Sequence, residues 1–106
     1  MFGFIKKMLQ GNSEELAQAL AQGGTIIDVR SFREFQSGSV KGAVNIPHTE
    51  IGRAKKKISK MKQPLILCCA SGMRSGVALR ELNSLGINNA INGKTWGRVN
   101  QLLSSQ

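Results

Sequence analysis

The side chain best placed for covalent chemistry is Cys69, a thiol that follows an apolar run over residues 65–68. The next segment connects this run to a predicted helix, so its backbone N–H groups and the helix dipole would favour the thiolate. The loop residues that would form this anion-binding cradle are Ala70, Ser71, Gly72, Met73, Arg74 and Ser75. Arg74 would add a fixed positive charge. A thiolate held in this way can attack an electrophilic sulfur or phosphorus atom, and the alternative is that Cys69 is a small buried hydrophobic residue.

Cys68 and His48 are two further candidates for a nucleophile or a metal ligand. Cys68 precedes Cys69 on the predicted strand and should point to the opposite face, so we interpret it as a buried core thiol. A disulfide between the two neighbours would be severely strained. His48 follows Pro47 in a predicted loop and has no second ligand at metal-binding spacing. We therefore predict no metal site.

Short apolar runs alternate with helical patterns along the chain. Ser13 is typical of an N-cap, and Ser31 with Glu34 forms a capping box. In chain order, the predicted elements are a helix from Ser13 to Gly23, a strand over 25–29, a helix over 31–37, a strand over 43–46, a basic helix over 53–62, a strand over 65–68, a helix from Ser75 to Gly86, a strand over 90–91, a turn at Asn92-Gly93 and a helix over 96–103. This alternation predicts the α/β class, with a central, mostly parallel sheet and helices on both faces.

The length of 106 residues fits one domain, and we predict an N-terminal extension over residues 1–12 followed by a single domain over 13–106. The longest apolar stretch, residues 65–70, is too short to span a membrane. No secretory signal is recognisable at the N-terminus. Cys68 and Cys69 are adjacent and cannot form the disulfide framework of a secreted miniprotein. We therefore expect a cytoplasmic protein.

Fifteen Lys and Arg against six acidic residues give a net charge of +9 and favour an anionic substrate, partner or surface. One segment concentrates this charge and contains Arg53, Lys55, Lys56, Lys57, Lys60 and Lys62. It could bind phosphate, but Ile51, Ala54, Ile58 and Met61 recur at helical spacing, which favours a solvated helix face. Trp96 is the single Trp and there is no Tyr. Because stacking platforms are scarce, we expect no nucleic-acid partner.

Four segments in order resemble the rhodanese family of sulfurtransferases, and the resemblance spans nearly the whole chain. The segments are residues 27–30 with Glu34 and Phe35, residues 38–47, residues 69–75, and Asn92-Gly93 with Trp96. The resemblance implies a single rhodanese-like domain in which Cys69 accepts a sulfane sulfur as a persulfide. It implies no metal or organic cofactor. The donor would be a small sulfur-containing anion such as thiosulfate, or a persulfide, and the acceptor a thiol, cyanide or a sulfur-carrier protein.

The resemblance also assigns structural roles to Asp28, Arg30, Glu34 and Trp96. It implies that Arg30 pairs with Glu34, that Asp28 braces loops, and that Trp96 packs the final helix near the active site. The alternative for the three charged residues is a catalytic acid and cation set.

Three positions depart from the family pattern. Ser39 stands in place of the usual His, and Asn92 in place of the first Gly of a Gly-Gly pair. Ala70 stands where family members that use thiosulfate well often carry a basic residue, so we expect another physiological donor.

Two other functions remain open. Rhodanese-like cysteine phosphatases resemble this family and carry a Cys-x5-Arg pattern. Here four residues separate Cys69 from Arg74, and the smaller loop suits sulfur better than a phosphoryl group. A phosphatase would also need an acid for its leaving group. The second alternative is a catalytically minor binding module whose basic helix recruits an acidic partner.

Overall fold

The structure, a computed structural model, describes residues 13–106. The predicted extension over residues 1–12 lies outside the described residues. No helix within the described part of the chain is both long and apolar enough to cross a membrane.

Four parallel strands form the sheet, in the order β2-β1-β3-β4. The strands are β1 Thr25–Asp28, β2 Val44–Asn45, β3 Leu65–Cys69 and β4 Ala90–Thr95. The helices are α1 over residues 13–21, α2 Phe32–Ser37, α3 Lys55–Ser59, α4 Met73–Ser84 and α5 Trp96–Ser104, with a 3-10 turn at His48–Glu50. The predicted α/β class is confirmed, and every strand pair is parallel.

The strand β3 is buried along its whole length because helices cover both faces of the sheet. Leu65, Leu67 and Cys69 face one core, which α3 and α4 cover. Ile66 and Cys68 face the other core, which α1 and α5 cover. This alternation follows from the period of two along a strand. It also means that the two neighbouring cysteines lie in different cores.

Local signals place several helix ends correctly. Ser31 and Glu34 form the predicted capping box at the start of α2. Gly86 follows the C-cap of α4 with a φ of +87°, the left-handed conformation that favours glycine after a helix. Ser13, the first described residue, is helical.

The basic segment is less helical than predicted. The helix α3 covers five residues and has no side-chain cap. All six cations of the segment are exposed, while Ile51 and Ile58 are buried in the core beneath them. The apolar residues therefore face inward and the charges face solvent, as the solvated-face interpretation requires.

The predicted turn at Asn92-Gly93 is wrong, because both residues lie inside β4. Gly93 serves close packing: a Cβ there would lie 2.7 Å from Val99 Cγ2 and 3.0 Å from the Leu67 carbonyl oxygen. The positive φ falls one residue later, at Lys94, with +69°. A register shift between β3 and β4 accompanies it.

A buried ion pair ends β1. Arg30 makes a bidentate contact with Asp28, with distances of 2.9 Å from Nε to Oδ1 and 2.6 Å from a terminal nitrogen to Oδ2. That nitrogen also donates to the Gly38 carbonyl at 2.6 Å, and the guanidinium lies 4.8 Å from the centre of the Trp96 ring. The pair thus joins β1, the end of α2 and the start of α5. The expected pairing of Arg30 with Glu34 is wrong, since Glu34 binds Arg74 instead.

We predict that Asp28→Asn lowers the free energy of unfolding by about 3–5 kcal/mol, because it leaves the Arg30 charge buried without its partner. Urea denaturation measures this loss. Glu50→Gln, at an exposed carboxylate, is the control and should change the free energy by less than about 0.5 kcal/mol. Equal effects of the two substitutions would contradict a stabilising role for the buried pair.

Candidate active site

Cys69 is the last residue of β3 and lies at the carboxyl edge of the sheet. A three-residue loop, residues 70–72, connects it to Met73, the first residue of α4. Gly72 has a φ of +98°, and a Cβ there would lie 3.4 Å from Lys94 Cβ. The turn from strand to helix therefore requires glycine at this position. It directs the start of α4 towards the sulfur.

Hydrogen-bond donors of the loop and helix converge on the Cys69 sulfur. The backbone N–H of Gly72 donates to Sγ at 3.0 Å, and that of Ser75 donates at 3.4 Å. The Ser75 hydroxyl oxygen lies 3.5 Å from Sγ. Cys69 has no exposed area, and the loop above it includes the exposed residues Ala70 and Ser71. The thiol therefore lies among polar groups, with the exposed loop residues between it and solvent.

The pKa of Cys69 reflects two opposing effects. Burial raises the pKa of this thiol, because the charged form loses its hydration. Hydrogen bonds with the Ser75 hydroxyl and with backbone N–H groups of Ser75, Gly72 and Ser71 lower it. The net result is a pKa below the ordinary value of 9.0. The cradle therefore favours the nucleophilic thiolate.

Cys68 has the opposite electrostatic environment. It lies in the other core, and burial raises the pKa of its thiol to about 12, with the negative charge of Asp28 adding to the effect. A thiol with this pKa stays protonated and unreactive at neutral pH. The structure therefore separates two neighbouring thiols into one that favours ionisation and one that resists it.

The Arg74 charge is expected beside the thiol, and its guanidinium is paired with a carboxylate there. Its two terminal nitrogens bind the carboxylate of Glu34 at 2.7 and 2.9 Å. The Arg74 guanidinium is the main cause that lowers the pKa of Glu34, to about 2, so the pair is ionised across the usual pH range. The ion pair joins the start of α2 to the start of α4. Stabilisation of the thiolate comes instead from Ser75 and the loop amides.

Asn92 is a residue of this site that the sequence analysis missed. Its Oδ1 accepts hydrogen bonds from the Ser75 hydroxyl at 2.6 Å and from the Lys94 backbone N–H at 2.8 Å. Its Nδ2 donates to the Gly72 carbonyl at 3.4 Å. Asn92 thus ties both ends of the cradle to β4. An interpretation of residues 90–95 as one strand beside β3 would have placed Asn92 there.

The remaining predicted residues support the edge of the sheet without contacting the sulfur. Asp28, Arg30 and Trp96 form the buried cluster described above, and Glu34 reaches the site through Arg74. Met73 is largely exposed at the start of α4. Among residues 13–106, no group of three or more His, Cys, Asp or Glu side chains is placed to hold a metal ion, and His48 lies half-buried in the 3-10 turn.

The arrangement suits a nucleophile that forms an anionic adduct. The cradle offers N–H donors, and no carboxyl group makes a hydrogen bond to the sulfur among the described contacts. Such a site best serves a leaving group that departs as a stable anion and needs no proton.

Comparisons with known proteins agree with this geometry. A family model described as a Rhodanese-like domain matches residues 12–94. The uncharacterized protein YqhL of Bacillus subtilis is 31% identical over 98 residues, covering 89% of this chain and 77% of that protein. The thiosulfate sulfurtransferase/rhodanese-like domain-containing protein 3 of Mus musculus is 35% identical over 78 residues, covering 61% of this chain and 50% of that protein. The human single-domain sulfurtransferase TSTD1 superposes with a TM-score of 0.64 at 29% identity, covering 88% of this chain and 93% of that one.

The two thiols should titrate in separate steps. We expect the thiolate ultraviolet absorbance to rise first below pH 9.0, from Cys69, and again near pH 12, from Cys68. Cys69→Ser should remove the first step, and Cys68→Ser should leave it in place. A first step that survives Cys69→Ser would assign the low pKa to another group.

Ser75→Ala should raise the pKa of Cys69, because it removes the hydroxyl that contacts Sγ and, by its hydrogen bond to Asn92, helps to hold the donors of the loop around the sulfur. The first absorbance step would then move to higher pH. The control is Ser84→Ala, since the Ser84 hydroxyl bonds only within the last turn of α4. If both variants titrate like the wild type, the Ser75 hydroxyl does not stabilise the thiolate.

Proposed function

The chain belongs to the rhodanese-like domain family, and from this premise we propose that it is a sulfurtransferase that carries sulfur as a persulfide on Cys69. The proposed domain covers residues 13–106. The observation that carries the proposal is the set of N–H donors from Gly72 and Ser75 around a thiol with a lowered pKa. This chemistry requires a free thiol, and both cysteines are free. We therefore infer a reducing, cytoplasmic location.

In the first step, the Cys69 thiolate attacks the outer sulfur of the donor. With thiosulfate, a bond forms between the two sulfur atoms, the sulfur–sulfur bond of thiosulfate breaks, and sulfite leaves with the electron pair. Sulfite is a stable anion, so the step needs no general acid. The persulfide keeps the negative charge on its outer sulfur, and the N–H groups of the cradle can stabilise that charge.

In the second step, an acceptor thiolate attacks the outer sulfur of the persulfide. The new bond joins that sulfur to the acceptor, and Cys69 leaves as a thiolate in the cradle that stabilises it. The lowered pKa of Cys69 therefore assists both steps, because it makes the thiol a nucleophile first and a leaving group afterwards. No metal or organic cofactor takes part in either step.

The contacts of Arg74 favour sulfur transfer over phosphate-ester hydrolysis. A cysteine phosphatase uses its guanidinium to bind the transferred phosphoryl group with two parallel hydrogen bonds. Both terminal nitrogens of Arg74 bind Glu34 instead. Because Arg74 is paired with Glu34, the donors that remain in the cradle are mainly separate backbone N–H groups, which suit one sulfur atom better than a phosphoryl group.

The donor class is proposed as thiosulfate or a persulfide. Ala70, beside Cys69, brings no positive charge to the loop, and the Arg74 charge is balanced by Glu34. A dianionic donor therefore gains little attraction within the cradle itself. We propose that a persulfide donor loads Cys69 faster than thiosulfate does.

Intact-protein mass spectrometry without reductant tests the proposal. After treatment with thiosulfate or polysulfide, the wild type should gain the mass of one sulfur atom. Cys69→Ser should gain none, whereas the matched substitution Cys68→Ser should gain as much as the wild type. Loading of folded Cys69→Ser to the wild-type extent would overturn the assignment, and so would no loading of folded wild type by any donor.

A further inference from the structure

The exposed large apolar side chains of the described residues lie in α2 and α4, in the first two turns of each helix. Within residues 13–106 they are Phe32, Met73 and Val77, which are 60%, 77% and 44% exposed. Phe32 and Met73 are the first residues of α2 and α4, and Val77 lies one turn after Met73 on the same side of α4. Cys69 lies directly before the loop that leads into α4. The apolar side chains therefore belong to the helices that start at the edge of the sheet where the candidate nucleophile lies.

An ion pair holds the two helix starts together. Glu34, in the first turn of α2, binds Arg74, in the first turn of α4. Phe32 is two residues from Glu34, and Met73 directly precedes Arg74. This bridge joins the starts of two helices that follow the carboxyl ends of the adjacent strands β1 and β3. We call the exposed apolar residues of these two helices the rim: Phe32, Met73 and Val77. Exposed apolar surface of this kind marks contact sites for other molecules.

The rim is flanked by positive charge. Arg33 follows Phe32 and is exposed, and Lys94 is exposed beside the loop, with its Cβ 3.4 Å from the position that a Gly72 Cβ would take. Neither cation has an ion-pair partner among the described residues, whose ion pairs are Arg30 with Asp28 and Arg74 with Glu34. The surface around Cys69 is therefore apolar and positively charged.

We propose that the rim is the docking surface of an acceptor protein that presents its thiol among acidic and apolar side chains. This inference rests on the proposed function, since the acceptor thiol must reach a persulfide on Cys69. A small thiol needs no apolar surface to enter the loop, whereas a protein gains affinity by covering one. Acidic residues on the partner would meet the cations, which speeds the encounter.

The charge of the chain argues against two other occupants of the rim. A second copy also carries a net charge of +9, so two copies repel each other. Residues 1–12 contain two lysines and no acidic residue, so this segment carries the same sign of charge as Arg33 and Lys94, which flank the rim. An acidic partner is the occupant with complementary charge.

Transfer to synthetic peptides tests the proposal. Cys69 is first loaded with sulfur, and the loading is verified by mass. Single-turnover transfer is then measured to three cysteine peptides of equal length: acidic and apolar, basic and apolar, and acidic without apolar residues. We expect the first peptide to react at least about tenfold faster than the second at low salt, with the advantage shrinking as salt rises. We expect it to react faster than the third at all salt concentrations.

Matched variants locate the effect on the rim. Arg33→Gln should slow transfer to the acidic, apolar peptide, whereas Arg53→Gln, which removes the same charge from the remote basic segment, should not. Phe32→Gln and Val77→Gln should each reduce the advantage of the apolar peptide. Transfer to mercaptoethanol, a small neutral thiol, should be unchanged in all four variants, which shows that the chemistry at Cys69 is intact.

The outcomes separate the two proposals. If the wild type does not load sulfur, the proposed function fails. If it loads sulfur but all three peptides react equally, the docking surface is wrong and sulfur transfer stands. If Arg33→Gln and Arg53→Gln slow transfer equally, the effect comes from the net charge of the protein, and the docking surface is wrong. If selectivity appears only after residues 1–12 are removed, that segment covers the rim. If it appears only when the protein is diluted below a dimerisation threshold, a second copy covers the rim. Either result would overturn the proposal.

Discussion

The Cys69 thiol must lose contact with water and still ionise, and this requirement organises the surrounding structure. Burial alone would keep the thiol protonated, as it does at Cys68. The difference comes from oriented N–H donors, which the loop after β3 and the start of α4 supply to Cys69. The short loop, the left-handed Gly72 and the placement of Ser75 all serve to bring these donors within reach of one sulfur atom.

Two ion pairs and one amide hold that geometry in place. Asp28 with Arg30 fixes the end of β1 against α5, and Glu34 with Arg74 fixes α2 against α4. Asn92 ties the loop to β4 by contacts with Ser75 and Gly72. The charged residues of the site thus act mainly on one another and on the backbone. The thiol is stabilised by neutral donors, which leaves the positive charges of the surface free to attract other molecules.

The sequence allowed prediction of those features that depend on neighbouring residues. The capping box at Ser31, the end of α4 before Gly86 and the buried strand before Cys69 all have local causes, and the structure confirms them. Partners in space were harder to predict. Arg30 and Glu34 are four residues apart, yet Arg30 binds the nearby Asp28, whereas Glu34 binds the distant Arg74 because the tertiary fold brings α4 against α2. Asn92-Gly93 has the composition of a turn, but the close approach of Leu67 and Val99 places it in a strand.

Cys68 and Cys69 are neighbours on one strand, so the reactivity of each thiol depends on which face of β3 it occupies. Residues along β3 alternate between the two cores, so a shift of the strand by a single residue would exchange their faces. Cys68 would then end the strand beneath the loop, and Cys69 would be displaced from it. The pairing of β3 with β1 and β4 on both sides prevents such a shift. The register of strand pairing in the sheet thus determines which of two chemically identical side chains lies among the N–H donors and becomes reactive.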